Sequence, residues 1–283
     1  MKSIVNVTFM GGGKLGQAFL RGLTKNRDNL ARPLALHVTD PEPGRLLEIE
    51  QISGEIKTHS RLDEEVSRST DVLVLAMKPN DVDEAVEEIR QAPLRKNSLI
   101  VSSVAGLPLS NFEGLGTKSL VRAMPNFGIQ IAAGMTVWMA SPDTSKDQLA
   151  VAKMLFDSVG EDERVKDEET IDLATAVSGS GPAYVLLMME SMIDAATHLG
   201  LPRDTARDLV EQTLLGTAEY ARISKAHPSV LRSDITSPGG TTAAALHKAE
   251  RGKLRNVVAD MMWGSYRKTR EIGGKDTPFG PQV

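Results

Sequence analysis

The chain has 283 residues, 41% of them hydrophobic and 25% charged, which is enough for a sizeable core and, at about 100–200 residues per domain, for two domains. A formal net charge of -4 and a pI near 5.8 give no basic footprint for nucleic acid or an anionic membrane. The absence of cysteine removes disulfides, thiolate zinc sites and a cysteine nucleophile together, and fits a reducing compartment. In chain order, the first element is an alternating run, Val5, Val7 and Phe9, that predicts a strand. It enters Gly11, Gly13 and Gly16, spaced G-x-G-x-x-G around Lys14 and Leu15, and a helical segment from Gln17 to Leu23 follows. Strand, glycines and helix in that order suit a backbone that turns sharply and presents a helix N-terminus to a pyrophosphate, so dinucleotide binding is the first expectation.

Further strands are predicted at Leu34 to Val38, Val72 to Met77, Leu99 to Val104, Leu120 to Met124 and Met135 to Met139, alternating with helical stretches. Continuous apolar strands such as V-L-V-L-A-M require both sheet faces to be covered, as in a doubly wound parallel sheet. Ser145 and Gln148 have the spacing of a capping box for a helix over Ser145 to Val159, with Gly160 as its C-terminal cap. Beyond Glu161 to Glu169 the strand signal ends. Helices are expected at Thr170 to Val177, Ala183 to Leu199, Pro202 to about Ile223, Ala243 to Arg251 and Leu254 to Ile272. The helix that begins Y-V-L-L-M-M has little polar surface for its first turns, which points to dimerisation, with a central intrachain helix as the alternative. The expectation is therefore an α/β protein: an N-terminal Rossmann-type doubly wound parallel sheet over residues 1–164, and an all-helical C-terminal dimerisation and substrate-binding domain over 165–283.

Several residues are candidates for chemistry. Asp40, which closes the second strand after Gly16, is placed to accept hydrogen bonds from an adenosine ribose and to disfavour a 2′-phosphate; followed by Pro41, it reads equally as a turn residue, and Arg45 is near enough to serve a phosphate. Ala76, Met77, Lys78 and Pro79 end one strand, and Val104, Ala105 and Gly106 another, where ligands of open α/β sheets lie. Lys78 reads as a ligand to an anion or as a solvated surface lysine. Ser237, Pro238, Gly239, Gly240, Thr241 and Thr242 lead into a helix and offer unpaired N–H groups and hydroxyls to an anion; the competing reading is a capped turn with Thr241 or Thr242 as N-cap. Ser178 to Pro182 lacks the G-x-S-x-G spacing of a hydrolase and is read as a close helix-packing kink. His37, His59, His198, His227 and His247 form no i, i+4 pair, so no metal is expected. No signal peptide pattern is evident and no apolar run approaches the roughly 18 residues of a membrane span, which makes the cytoplasm the default.

Along nearly its full length the sequence resembles the pyrroline-5-carboxylate reductases. The resemblance rests on G-G-G-K-L-G at Gly11, A-M-K-P at Ala76, V-A-G at Val104, A-M-P-N at Ala123, S-G-S-G-P-A-Y at Ser178, G-L-P-R at Gly200 and D-I-T-S-P-G-G-T-T at Asp234. It implies a Rossmann domain, a helical domain that interlocks two protomers, and an active site shared across the dimer. The implied reaction passes a hydride from NADP or NAD in reduced form to the C=N carbon of a cyclic imino acid, giving proline. Carried onto this chain, Gly11 to Gly16 hold the pyrophosphate, Ala76 to Pro79 with Ala105 and Gly106 flank the ribose and nicotinamide, and Met124, Pro125 and Asn126 border the ring. Ser237 to Thr242 cradle the imino acid carboxylate, and Thr242 matches the threonine whose hydroxyl meets the ring nitrogen. Two positions depart from the family pattern: Phe127 stands where Thr-Pro usually follows Met-Pro-Asn, and Lys14 where asparagine is common. Phe127 leaves open a reductase of another cyclic imino acid, and a non-catalytic nucleotide-binding regulator is the reading from a different class.

Overall fold

The computed structural model describes residues 4–276. Elements run in the order β1 (Val5–Met10), α1 (Lys14–Lys25), β2 (Leu34–Thr39), α2 (Pro43–Glu50), β3 (Lys57–His59), α3 (Glu64–Ser69), β4 (Val72–Leu75), α4 (Val82–Gln91), β5 (Leu99–Ser102), β6 (Ser119–Met124), β7 (Gly134–Ala140), α5 (Lys146–Asp157) and β8 (Gly160–Arg164). The helices α6 (Glu168–Ala174), α7 (Gly181–His198), α8 (Arg203–Ser224), α9 (Pro228–Asp234), α10 (Thr241–Arg251) and α11 (Leu254–Ile272) follow. By contacts the described residues divide into two compact units, one running to Ser180 and taking in the chain from Ser265 onward, the other Gly181–Gly264.

The first unit is a single eight-stranded sheet in the order β3-β2-β1-β4-β5-β6-β7-β8. Its strand order reverses between β1 and β4, which places a crevice at their carboxyl ends. Phe9, Phe19, Trp138 and Phe156 fill one face of the sheet and Leu73, Leu75, Ile89, Ile100 and Phe112 the other, so both faces are dry, as the continuous apolar strands require. The pairing is parallel except between β6 and β7. The link 125–133 is shorter than the dozen or so residues that a parallel crossover needs, so the chain returns antiparallel.

The capping box forms as spaced: Ser145 accepts the Gln148 N–H and the Gln148 side chain reaches back to the Ser145 N–H. Gly160, expected to cap that helix, instead opens β8 with φ +147, where a Cβ would lie 2.2 Å from the Gly134 carbonyl oxygen. The last strand predicted from the sequence is Met135 to Met139, and the charged stretch from Glu161 carries no strand signal; Gly160–Arg164 nevertheless pairs with β7 and carries its charges at the sheet edge. Of the stretch Ser178 to Pro182, close packing is found at Gly179, where a Cβ would lie 2.8 Å from Cε of Met124 and which ends a π turn over residues 175–179, while Gly181 has nothing within 4 Å of its Cβ position.

In the second unit, Ala206 and Val210 are the buried side chains among the described residues, while Val185, Leu186, Leu187 and Met188 of α7 are roughly half exposed. The helical run Glu168–His198 contains an 18-residue window of mean hydropathy 1.2, which suits a membrane span by length and composition only, although Glu190 and Asp194 keep the run from being a contiguous apolar stretch.

Candidate functional site

The three glycines of the first loop have three different surroundings. Gly11 has φ +104, and a Cβ there would lie 2.8 Å from the Ala76 carbonyl oxygen, so conformation and space both exclude a side chain. At Gly16 a Cβ would come within 2.2 Å of the Gly11 carbonyl oxygen, so its absence lets α1 close onto the strand. Gly13, the N-cap of α1, has an ordinary extended backbone (φ -71, ψ -171) and nothing within 4 Å of where its Cβ would be. The fold therefore does not require glycine at this position. What glycine leaves there is open space before the first N–H groups of α1, which are unpaired by helix geometry and suit a diphosphate. Lys14 is exposed at the helix start, and Leu15 packs on the core below.

Asp40 is inside this loop's support rather than beside it. Its side chain is 1% exposed; Oδ2 accepts the Gly12 N–H at 2.8 Å, Oδ1 accepts the Glu42 N–H at 2.9 Å, and Arg45 Nη1 lies 3.2 Å from Oδ2. The carboxylate thus ties the glycine loop to the turn after β2, and its charge is offset by a half-exposed guanidinium. The Asp40 N–H in turn donates to the carbonyl oxygen of His59 at 3.1 Å. His59 stacks on His37 with ring centroids 5.4 Å apart and shares a 3.2 Å nitrogen–nitrogen hydrogen bond with it. Burial, reinforced by His59 and Lys57, holds the His37 imidazole below its ordinary pKa. The scattered histidines gave no hint of this pair, which β2–β3 pairing creates.

Ala76 donates its N–H to Met10 at 2.8 Å, continuing the β1–β4 pairing to the crevice, and Met77 and Pro79 are partly buried beside an exposed Lys78. The Ser103 N–H donates to Leu75 at 3.0 Å, which lays the turn Val104–Gly106 alongside; Gly106 takes φ +80. Asn126, at the end of β6, accepts the N–H groups of Gly128 and Met135 at 3.1 Å each, so its amide oxygen is committed to holding the 3-10 turn Phe127–Ile131. Gln130 on that turn donates its amide to the Lys14 carbonyl at 2.8 Å, a latch onto the glycine loop that sequence reasoning missed because no local pattern joins the two. Phe127 is 63% exposed. Gly11 to Gly16, Asp40, Ala76 to Pro79, Ala105, Gly106 and Asn126 thus gather at one edge of the sheet, where its parallel strands end.

Ser237 to Thr242 belong to the second unit. The Gly240 N–H donates to Ser237 at 3.0 Å, and Gly239 sits at the third position of this turn with φ +71, a place that favours glycine after Pro238. The N-cap of α10 is Gly240, with no side-chain cap, so neither Thr241 nor Thr242 caps the helix; both lie in its first turn with N–H groups unspent by the helix. In contrast, the hydroxyls of the serine-glycine kink are already used: Ser178 bonds the Ala174 carbonyl and Ser180 the Ser265 hydroxyl.

A family model described as "Pyrroline-5-carboxylate reductase dimerisation" matches residues 168–272, and one described as "NADP oxidoreductase coenzyme F420-dependent" matches residues 6–106. The pyrroline-5-carboxylate reductase of Synechocystis is 34% identical over 272 residues, which cover 96% of this chain and 99% of that protein. Among solved structures, a pyrroline-5-carboxylate reductase from Coxiella burnetii matches with a TM-score of 0.84 at 33% identity, covering 95% of this chain and 98% of its own. The pyrroline carboxylate reductase of Plasmodium falciparum, solved with NADP bound, matches with a TM-score of 0.81 at 27% identity and the same coverage.

Proposed function

We propose that this chain, which belongs to the pyrroline-5-carboxylate reductase family, reduces the C=N bond of 1-pyrroline-5-carboxylate with NADPH or NADH to give L-proline. The observation that carries the reading is Gly13: at the N-cap of α1, inside the G-x-G-x-x-G loop, its missing side chain leaves open space before the unpaired N–H groups of the helix, room that suits a diphosphate. In this reading residues 1–164 hold the nucleotide, and 165–283 dimerise and hold the imino acid. Gly11, Gly13, Lys14, Leu15 and Gly16 receive the diphosphate at the start of α1. Ala76 to Pro79, Ala105, Gly106 and Asn126 flank the ribose and nicotinamide, with only the amide nitrogen of Asn126 left to donate. Pairing with Arg45 offsets part of the charge of Asp40 and at the same time holds the Arg45 guanidinium, so Asp40 weakens a 2′-phosphate contact without barring it. The named NADP relatives favour NADPH.

The bound dinucleotide supplies the hydride. Ser237, Gly239 and Thr241 offer backbone N–H groups to the substrate carboxylate, Gly240, whose N–H closes the turn on Ser237, lets the backbone come close to it, and the Thr242 hydroxyl meets the ring nitrogen. A cyclic imine is largely iminium at neutral pH, so the protein contributes orientation and charge placement rather than a strong acid. The enzyme is read as a soluble cytoplasmic homodimer in which a second copy, not a membrane, covers the apolar surface of α7. Phe127, exposed next to Asn126, supports a second reading, a reductase of a larger or substituted cyclic imino acid.

Oxidation of NADPH and NADH against a panel of pyrroline and piperideine carboxylates tests the proposal. Highest kcat/KM on pyrroline-5-carboxylate is expected; preference for a six-membered ring would establish the second reading, and nucleotide binding with no turnover would leave a regulator.

A further inference from the structure

The turn Val104–Gly106 is held from outside its own strand. The chain from Ser265 to Asp276 belongs to the same unit as the sheet, and the end of α11 is pressed against this turn. A Cβ on Gly106 would lie 2.7 Å from Cγ2 of Ile272 and 3.1 Å from the Thr269 carbonyl oxygen, and a Cβ on Gly273 would lie 2.5 Å from the Gly106 carbonyl oxygen. Backbone meets backbone there, so a shift of residues 269–273 passes directly to Ala105 and Gly106.

Two carboxylates of α6, Asp172 and Glu169, fasten this strap, and a third, Glu168, holds the chain after the turn. Asp172, 0% exposed, pairs with Arg122 of β6 at 2.5 Å and with Lys275 beyond α11 at 2.6 Å. Glu169 accepts from the Tyr266 hydroxyl and from Arg270 at 2.5 Å. Glu168 accepts the Leu109 N–H at 2.7 Å, just past the turn, and lies 3.5 Å from Arg122. Three cations thus face three anions, and α6 grips both the strap behind the turn and the chain that leaves it. The adenosine side has its own support, from Asp40 to Gly12, with no member in common.

We infer that Arg122, Asp172 and Lys275 are positioning residues for the nicotinamide half of the cofactor: they set the Ala105–Gly106 backbone and leave the adenosine half to the glycine loop. The inference rests on the nucleotide reading above. Its test is the binding of two ligands to the full chain, NADPH and 2′-phospho-ADP-ribose, which lacks the nicotinamide ring; NADH and ADP-ribose replace them if NADH binds more tightly. Lys275→Met is expected to weaken NADPH by about tenfold and to leave 2′-phospho-ADP-ribose within about twofold. Lys275→Arg should restore NADPH binding. Lys275 is a quarter exposed, so the variant is expected to fold, and Tyr266→Phe gives a second, uncharged cut in the same strap. Equal weakening of both ligands, or no weakening of either, overturns the inference. A wild-type chain that bound neither ligand would instead overturn the nucleotide reading on which it rests.

Discussion

One substitution, glycine to alanine, is expected to have different consequences at the three loop positions. At Gly13 the added methyl meets nothing within 4 Å and the backbone is already extended. A slightly poorer N-cap is set against a less flexible unfolded chain, so stability changes by less than about 1 kcal/mol. The same methyl occupies the space left for the diphosphate, and an overpacked contact of about 1–3 kcal/mol corresponds to roughly 5- to 150-fold weaker NADPH binding. At Gly16 the methyl would sit 2.2 Å from a backbone oxygen that cannot move without moving β1, and at Gly11 a φ of +104 adds strain to a 2.8 Å contact. Each is expected to lose about 2–4 kcal/mol, or very roughly 5–15 °C of Tm for a chain of this size. Thermal melting with and without NADPH, alongside nicotinamide fluorescence titration, reads both quantities. The reasoning fails if Gly13→Ala melts as early as Gly16→Ala, or if it melts normally and still binds NADPH as the wild type does.

Asp40→Asn retains an acceptor for the Gly12 N–H but frees Arg45 from its partner, so the ratio of NADPH to NADH affinity should rise about tenfold; an unchanged ratio would show that Arg45 does not face the 2′ position. For His37 the unfolded chain takes up a proton near the ordinary value of 6.5 while the folded chain resists until a lower pH. Between those values the unfolded state binds more protons, so stability falls as pH drops below 6.5, and His37→Gln should flatten that part of the urea-midpoint profile. Leu187→Glu, on the half-exposed apolar surface of α7, should shift the chain to monomers in sedimentation and lower activity with it; an unchanged oligomer would remove α7 from the interface.

The sheet was legible wherever burial forced a pattern. The strands at Leu34, Val72, Leu99 and Leu120 announce themselves because apolar side chains fill both faces. At the margins this pressure vanishes: β3 is Lys57–His59 and β8 is Gly160–Arg164, short or charged edge strands whose pairing is dictated by neighbours rather than by their own composition. The glycine loop could be read because its spacing between a strand and a helix is a local sequence pattern, even though its three glycines have three different reasons. Asp40 could not be resolved by position, since its role depends on Gly12 on one side and Arg45 on the other. Less visible still were Arg122, Asp172 and Lys275, where 50 residues separate the first pair and 103 the second; no periodicity spans such distances.

The apolar start of α7 shows why a correct local inference can still need a second molecule. A helix apolar on all sides is expected to be buried, yet within one chain Val185, Leu186 and Leu187 remain about half exposed, and the unit around them has only Ala206 and Val210 buried among its described residues. Fully covering a side chain of this kind stabilises by about 1.5–3 kcal/mol, so three half-covered ones leave several kcal/mol available to association. Two small buried side chains cannot offset the backbone entropy lost along helices as long as α7 and α8, at about 1–2 kcal/mol per residue. The missing core must therefore come from another copy, and the dimerisation family's match over 168–272 falls on this same stretch. Chain folding and subunit assembly are then expected to be one event for the unit that carries Ser237 to Thr242, and the anion site proposed for that turn would take its working form only in the oligomer.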